Sequence, residues 1–170
     1  MRILGIDPGY AIVGFGVLDF DGSKFAPVDY GAITTEAHTP FPTRLVTIYD
    51  DLCYVLERYR PERMSLERLF FTNNQKTGID VAQARGVILL AAERAGVPVA
   101  EYTPLQVKQA VVGYGKAEKR QVMEMTRMIL GLEEVPKPDD TADALALAIC
   151  DGHCAPARQW MSEGKAVYGR

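Results

Sequence analysis

The sequence predicts a single α/β domain, in which a sheet of five strands is flanked by helices. Three β-rich apolar runs occupy the first 34 residues, and the hairpin signal Asp21-Gly22 separates the second run from the third. Segments with helical apolar spacing then alternate with two further short apolar runs. A hairpin-fed sheet followed by alternating helices and strands is typical of one α/β domain, and 170 residues suffice for one substantial core.

Each predicted strand is an apolar run bounded by turn residues. The first ends at Asp7, directly before the turn-forming pair Pro8-Gly9. The fourth alternates apolar and polar residues, and the fifth, VPVAEY, is short and valine-containing. The five predicted strands are 3–7, 12–20, 25–34, 64–69 and 97–102.

The predicted helices show apolar residues at intervals of three or four. Arg60-Pro61 ends the first helix, because proline disfavours helical backbone at the residue before it. The predicted helices are 45–60, 76–96, 104–112, 117–130 and one that starts at residue 139 or 140. We expect one domain over residues 1–155, followed by a C-terminal tail, 156–170, that carries no recognisable motif.

Composition excludes several classes of protein. No run approaches the roughly 18 uncharged apolar residues of a membrane span, and the first apolar run is too short for a signal peptide. The cysteines lack disulfide-framework spacing, so we expect a cytoplasmic protein without membrane contact.

Cys150, His153 and Cys154 suggest either a zinc site or ordinary core packing of one helix face, and we favour packing.

Charge is unevenly distributed along the chain. The net charge of −3 argues against an indiscriminate nucleic-acid coat. Between residues 108 and 127, however, five basic residues outnumber two acidic ones, and the stretch that follows is acidic. A localised basic face for nucleic acid is therefore compatible with the sequence.

Four acidic residues stand where an isolated carboxylate is costly. Asp7 ends an apolar strand, and Glu67 lies inside the fourth strand. Asp140 and Asp143 share one face at the start of the last helix. If the first and fourth strands are neighbours, all four carboxylates can meet. Gathered carboxylates need a cation, and two Mg²⁺ or Mn²⁺ ions about 4 Å apart can clamp a phosphodiester, so we predict a metal site.

Each acid also has an ordinary structural interpretation. Asp140 could cap the last helix, Glu67 could pair with Arg63 or Arg68, and Asp7 could serve the turn that follows it. The conjunction of four such acids favours the metal site over these separate explanations.

Phe70 and Phe71 lead from the fourth strand into the polar loop 72–75. Exposed aromatic residues beside a nucleic-acid site stack on unpaired bases. The alternative is that both rings fill the core beneath the following helix. We expect one ring to be buried and the other exposed.

Five stretches resemble the family of RuvC Holliday junction resolvases: GIDPG, SLERLFF, QARGV, VKQAVVGYGKAEKRQV and DDTADALALAI. They occur in the family's order and spacing from residue 2 to about 153. GIDPG alone is a weak signal, whereas AEKRQV followed by DxADALA is a specific one. The resemblance implies a ribonuclease-H-like fold with a five-stranded mixed sheet. It also implies an endonuclease that resolves four-way DNA junctions in homologous recombination and repair.

The resemblance assigns roles to individual residues. The metal-binding acids are Asp7, Glu67, Asp140 and Asp143. The position of Asp140 is an acid in some members of the family and histidine in others. Lys108 and Lys119 match lysines near the scissile phosphate, and Phe70 matches a base-stacking aromatic residue. The expected DNA contacts are Phe70, Phe71, Asn73, Lys108, Lys116, Lys119 and Arg120.

The implied mechanism is in-line hydrolysis with two Mg²⁺ per subunit, for which Mn²⁺ can substitute or be preferred. One metal would position and acidify the water, and the other would stabilise the leaving oxyanion. Lys119 would offset charge in the transition state. The implied partners are four-way junction DNA, a second copy in a homodimer, and a branch-migration helicase complex of RuvA and RuvB type proteins.

The helix from about residue 78 to 94 is the expected dimer surface. Its apolar residues exceed what one buried face needs, although burial within one subunit is the alternative. They are Ala82, Val87, Leu89, Leu90 and Ala91. Three other functions fit parts of the sequence: an actin-like ATPase lobe, an RNA-processing nuclease of the same fold, and a non-catalytic binder of DNA structures. The first needs two lobes, the second would cleave RNA, and the third would have lost the acids.

Overall fold

The computed structural model describes residues 1–68 and 75–168. Its five strands form one sheet in the spatial order β3-β2-β1-β4-β5. β1 (Arg2–Asp7) is antiparallel to β2 (Ile12–Phe20), which is antiparallel to β3 (Phe25–Thr34). β4 (Arg63–Glu67) is parallel to β1, and β5 (Val99–Tyr102) is parallel to β4. The predicted five-stranded mixed sheet is therefore confirmed.

Helices cover both faces of this sheet. Within the described ranges they are α1 (Phe41–Tyr59), α2 (Gln75–Arg94), α3 (Pro104–Val112), α4 (Lys119–Leu130) and α5 (Asp139–Tyr168). None of these helices combines the length and apolar composition of a membrane span. α5 continues as far as Tyr168, across most of the stretch 156–170 that the sequence suggested was a tail.

Several boundaries differ from those predicted, for local reasons. β4 ends at Glu67 rather than at residue 69, because its partner β5 ends opposite it at Tyr102. β5 begins only after Pro98, which has no N–H to donate to the sheet. α1 begins at Phe41, inside the predicted loop, because proline at the next position fits the first turn of a helix.

Side chains alternate along β1 and so separate two cores. Leu4 and Ile6 pack against α1 and α2, whereas Ile3 packs on the opposite face against α3, α4 and α5. Gly5 also faces α5, where its α-carbon lies against the backbone of Ala144. Asp7, two residues further along the strand, therefore points to the α5 face as well.

Glycines let α5 lie directly on the sheet. Gly14 of β2 is the cross-strand partner of Asp7, and a methyl group at Gly14 would overlap the carbonyl oxygen of Asp140. A methyl group at Gly5 would likewise overlap the carbonyl oxygen of Ala144. The buried Thr141 hydroxyl donates a hydrogen bond to the Gly31 carbonyl of β3 (3.0 Å). The start of α5 is thus held against the ends of β1 and β2.

Candidate active site

Two acids end adjacent parallel strands. Asp7 is the last residue of β1 and Glu67 the last residue of β4, and the two strands pair with Ile6 opposite Leu66. Parallel strands that pair in this register end at the same edge of a sheet. The condition under which the four carboxylates could meet, that the first and fourth strands are neighbours, is therefore met, and their terminal carboxylates lie at one edge.

The other two acids come from the first turns of α5. Asp140 and Asp143 are half-buried there, at the end of the helix that rests on Gly14. Their charges both raise the pKa of Asp7, and the charge of Asp143 raises that of Glu67. The structure therefore brings the four predicted acids into one electrostatically coupled group.

Burial and mutual repulsion make this group costly to ionise. Burial is the main cause that raises the pKa of Asp7 to about 8, and Glu67, Asp143 and Asp140 raise it further. Burial also raises the pKa of Glu67 and of Asp143. In all three cases the ammonium group of Lys119 opposes the shift. Desolvated, mutually repelling carboxylates are characteristic of sites that bind added positive charge.

Lys119 is the cation that the chain itself supplies. Its Nζ lies 2.9 Å from Asp143 Oδ2 and 3.5 Å from Asp139 Oδ2. It is the first residue of α4, whose start is fixed by a hydrogen bond from the Glu118 N–H to Gln121 Oε1 (2.8 Å). Burial acts to lower the pKa of Lys119, but the two aspartates outweigh it and raise the pKa. The ammonium group therefore remains charged beside the acids.

A cavity of about 230 Å³ opens beside the acids. Its polar lining consists of Asp7, Glu67, Lys108, Lys119 and Asp143. Its apolar lining consists of Pro104, Val107, Val122 and Leu147. Carboxylate oxygens that can hold a hard cation thus share one cleft with two ammonium groups that can attract a phosphate.

The remaining predicted site residues lie outside this lining. Asp140 reaches the site through its charge on Asp7. Lys116 and Arg120 are exposed, on the loop before α4 and on its first turn. Three predicted DNA contacts fall outside the described residues: Phe70, Phe71 and Asn73.

The structure also bears on the alternative interpretations. Arg63 pairs with Asp151, and Glu67 forms no ion pair with any residue of the described ranges. His153 packs its ring against Phe25 (centroids 5.1 Å apart), and Cys150 is fully buried in the core, as the packing interpretation predicts. Over residues 1–68 and 75–168, no three His, Cys, Asp or Glu side chains stand in the arrangement of a complete metal site.

Sequence reasoning missed one polar residue beside the cleft and another farther along α5. Asp139 joins Asp143 in binding Lys119, although it looked like an ordinary helix-start acid. Asp151 is fully buried on α5, where it binds Arg63 of β4 and accepts a hydrogen bond from the Tyr102 hydroxyl (2.6 Å). A signal was present, because Asp151 follows Asp143 by eight residues and so returns to the same helix face.

Replacing Asp7 with asparagine should stabilise the metal-free protein increasingly as pH rises from 5 to 8. The pKa of Asp7 is raised from 3.8 to about 8 in the folded protein. Above pH 4 the unfolded chain therefore releases a proton that the folded chain retains. Because of this difference, the free energy of unfolding falls as pH rises to about 8. Asparagine removes this loss, which is on the order of a few kcal/mol. Thermal unfolding in EDTA measures the stability difference between Asp7→Asn and wild type across this pH range.

Asp19→Asn is the matched control. Its hydrogen bond with Arg2 lowers the pKa of Asp19, so its contribution is complete above the unfolded pKa. The stability difference between Asp19→Asn and wild type should therefore be constant from pH 5 to 8. A flat difference for Asp7→Asn would contradict the electrostatic account of the site.

Comparisons with known sequences and structures point to one family. The family model described as crossover junction endodeoxyribonuclease RuvC matches residues 3–151. The chain is 64% identical over 149 residues to the crossover junction endodeoxyribonuclease RuvC of Brevibacillus brevis, covering 88% of this chain and 90% of that one. The Thermus thermophilus RuvC structure superposes with a TM-score of 0.86 at 39% identity, covering 92% and 96% of the two chains. A second structure, of Thermus thermophilus RuvC in complex with Holliday junction substrate, gives a TM-score of 0.85 at 37% identity with the same coverage.

Proposed function

The chain belongs to the RuvC family of crossover junction endodeoxyribonucleases, and from this premise we propose that it resolves four-way DNA junctions by paired, symmetric cuts. The observation that carries the proposal is the convergence of Asp7, Glu67 and Asp143 with two lysines in one open cleft. Hydrolysis there would leave 5′-phosphate and 3′-hydroxyl ends that a ligase can seal. The Thermus thermophilus relative, whose structure is a complex with Holliday junction substrate, supports this choice of substrate.

Divalent cations suit the donor chemistry of the cleft. The four acids offer oxygen ligands alone, which Mg²⁺ and Mn²⁺ prefer, and burial and repulsion raise the pKa of three of them, a cost that bound positive charge would remove. Asp7, Glu67, Asp140 and Asp143 would hold two such ions in each subunit. When bound, these ions activate the attacking water and stabilise the leaving oxygen. Binding would compete with the Lys119 ammonium for Asp143.

The two lysines of the cleft act on the phosphate. Lys108, on α3, and Lys119, at the start of α4, line the same cavity as the acids. Released from Asp143, the Lys119 ammonium can offset negative charge that develops on the phosphate in the transition state. Lys116 and Arg120 are exposed beside it and would bind flanking phosphates, which adds affinity without chemistry.

A synthetic mobile four-way junction tests the proposed function. Purified protein with Mg²⁺ or Mn²⁺ should cut two strands of like polarity at symmetric positions, and both nicks should be closed by ligase. A linear duplex of the same sequence, an RNA–DNA hybrid and an EDTA sample are the controls. Cleavage of the hybrid in preference to the junction would instead indicate an RNA-processing nuclease.

Paired cuts require two active sites on one junction, so the enzyme would act as a homodimer. α2 offers an apolar surface for this contact, because Leu90 and Ile79 are 53% and 59% exposed on it. Ala82, Val87 and Leu89 are partly buried, whereas Ala91 is buried in the core of its own subunit and cannot serve the interface as the sequence suggested. The surface proposed is therefore narrower than predicted and centres on Leu90.

Replacing Phe70 with alanine should slow junction cleavage while the dimer and metal binding remain intact. Phe70 precedes α2 in sequence, so dimerisation through α2 would bring two copies of this ring towards the junction centre, where stacking holds bases unpaired. A junction whose crossover bases are already unpaired should lose less activity than a fully paired one. Tyr54→Ala, which removes an exposed aromatic ring of α1 outside the predicted DNA contacts, is the control. A monomer in sedimentation experiments, or equal slowing of both substrates, would contradict the proposal.

Membership of the RuvC family also suggests a compartment, a cellular process and a partner complex. We propose that residues 1–155 form the nuclease domain and that it acts in the cytoplasm, during recombination and DNA repair. The branch-migration helicase complex of RuvA and RuvB type proteins would present the junction to it. Co-purification with such a complex on junction DNA would test this assignment.

A further inference from the structure

Three residues of β4 face three residues of α5, and each facing pair forms one step along the contact between strand and helix. Arg63, Ser65 and Glu67 alternate along β4 and point to the face that α5 covers, while Met64 and Leu66 pack in the opposite core. On α5, the facing residues recur every fourth position. They are Asp143, Leu147 and Asp151.

Two of the three steps are joined by direct polar contacts. At the far end from the cleft, the Arg63 guanidinium donates to both carboxylate oxygens of Asp151, with Nη2 2.9 Å from Oδ1. In the middle, the Ser65 hydroxyl donates to the Leu147 carbonyl oxygen (2.7 Å). Glu67 and Asp143 form the third step, at the cleft end, where both side chains line the same cavity.

The spacing of helix and strand explains why the steps stay aligned. Four residues of an α-helix advance about 6 Å, and two residues of a strand advance about 6.6 Å. Each step along β4 is therefore matched by one along α5. A slip of one residue on α5 would move it about 1.5 Å and rotate its side chains by about 100°, which would turn Asp143 away from Glu67.

The polar steps are buried and specific. Ser65 and Asp151 are both fully buried, and the Tyr102 hydroxyl of β5 donates a third hydrogen bond to Asp151. A buried carboxylate bound by a guanidinium and a hydroxyl accepts one arrangement, because any displacement leaves it desolvated without partners. Apolar packing alone tolerates small sliding much better.

We propose that Arg63, Ser65 and Asp151 are positioning residues that set the axial register of α5 on β4, so that Asp143 meets Glu67 in the geometry that a divalent cation requires. The inference rests on the proposed function, since it takes Glu67 and Asp143 as ligands of that cation. None of the three positioning residues lines the cleft. They act through the backbones of the two elements that carry the ligands.

A double replacement separates the effect on the register of α5 from the effect on the stability of the fold. Arg63→Met/Asp151→Leu exchanges the buried ion pair for apolar side chains, so the fold keeps its packing but loses the directional contact. We expect the Mn²⁺ concentration that gives half of the maximal thermal stabilisation to rise about tenfold, as is usual when groups that orient metal ligands are removed. Ser65→Ala should shift this midpoint in the same direction by a smaller factor.

The control is a second bidentate pair away from α5. Arg2 and Asp19 join β1 to β2 with Nε–Oδ1 and Nη2–Oδ2 distances of 2.9 Å. Arg2→Met/Asp19→Leu should leave the Mn²⁺ midpoint at its wild-type value, even if the melting temperature without metal changes. Because melting of the metal-free protein is recorded in the same titration, a variant that fails to fold is recognised, and Ser65→Ala then carries the test.

The possible outcomes distinguish failure of the positioning role from failure of the proposed nuclease function. Folded variants with a wild-type Mn²⁺ midpoint would overturn the positioning role while leaving the proposed nuclease intact. A wild-type protein that binds no Mn²⁺ and cuts no junction would overturn the proposed function itself. Junction binding measured in Ca²⁺ should be equal for wild type and all variants if the register acts on the metal site alone.

Discussion

Asp7→Asn is expected to abolish junction cleavage and to leave junction binding intact. Asp7 ends β1 at the centre of the acid group, and asparagine removes its charge with little change in size. Loss of a ligand to a catalytic cation removes several kcal/mol of transition-state stabilisation, so the cleavage rate should fall at least about a thousandfold. Single-turnover cleavage and a gel-shift titration of the same junction measure the two properties separately.

Related substitutions sharpen this result. Glu67→Gln and Asp143→Asn should behave like Asp7→Asn, because both side chains line the same cavity. Asp140→Asn should be milder, because Asp140 lies outside that lining and the corresponding position in the family varies between an acid and histidine. If Asp7→Asn lost binding together with activity, Asp7 would be holding the turn at Pro8-Gly9 rather than a metal ion.

Lys119→Ala is expected to lower the cleavage rate about a hundredfold even when DNA saturates the enzyme. The Lys119 ammonium lies within 2.9 Å of Asp143 in the cleft, where it can act on the reacting phosphate. Lys108→Ala should show the same type of defect, since Lys108 lines the same cavity. The rate at saturating DNA, compared over a series of enzyme concentrations, separates loss of chemistry from loss of affinity.

Arg120→Ala is the matched control for Lys119→Ala. Arg120 is the next residue on α4, exposed and outside the cleft, so it should contribute a phosphate contact alone. Its removal should weaken binding, reduce the salt dependence of the affinity by about one counterion, and permit the full rate at saturating DNA. The catalytic role of Lys119 is wrong if saturating DNA restores full activity to Lys119→Ala.

Much of the fold could be predicted because its signals are local. The Asp21-Gly22 hairpin, the alternation in β4 and the helical spacing of α1 each depend on a few neighbouring residues. Boundaries were less predictable where a partner decides them. β4 stops where β5 stops, a cause that the residues of β4 do not show. The early start of α1 does have a local signal, because Pro42 fits the first turn of a helix, but proline is also typical of loops.

The residues of the site also differ in how far the sequence reveals them. Asp7 was recognisable because it ends an apolar strand, and Glu67 because it lies inside a predicted strand, two places where an unpaired carboxylate is costly. The contact of Lys119 with Asp139 depends on how α4 and α5 meet in space, which residue spacing does not encode. Gly14 carries no chemical signal at all, although its missing side chain is what admits α5 to the strand ends.

That glycine contact gives the two faces of the sheet different mechanical properties. On the α5 face, backbone meets backbone at Gly5 and Gly14, so no layer of side chains can be compressed between them. On the other face, aliphatic side chains such as Leu4 and Ile6 separate the sheet from α1 and α2. Under pressure or heating, we expect the sheet to move against α1 and α2 while its distance from the start of α5 hardly changes. The acids thus lie beside these backbone contacts, where we expect thermal motion to disturb their spacing least.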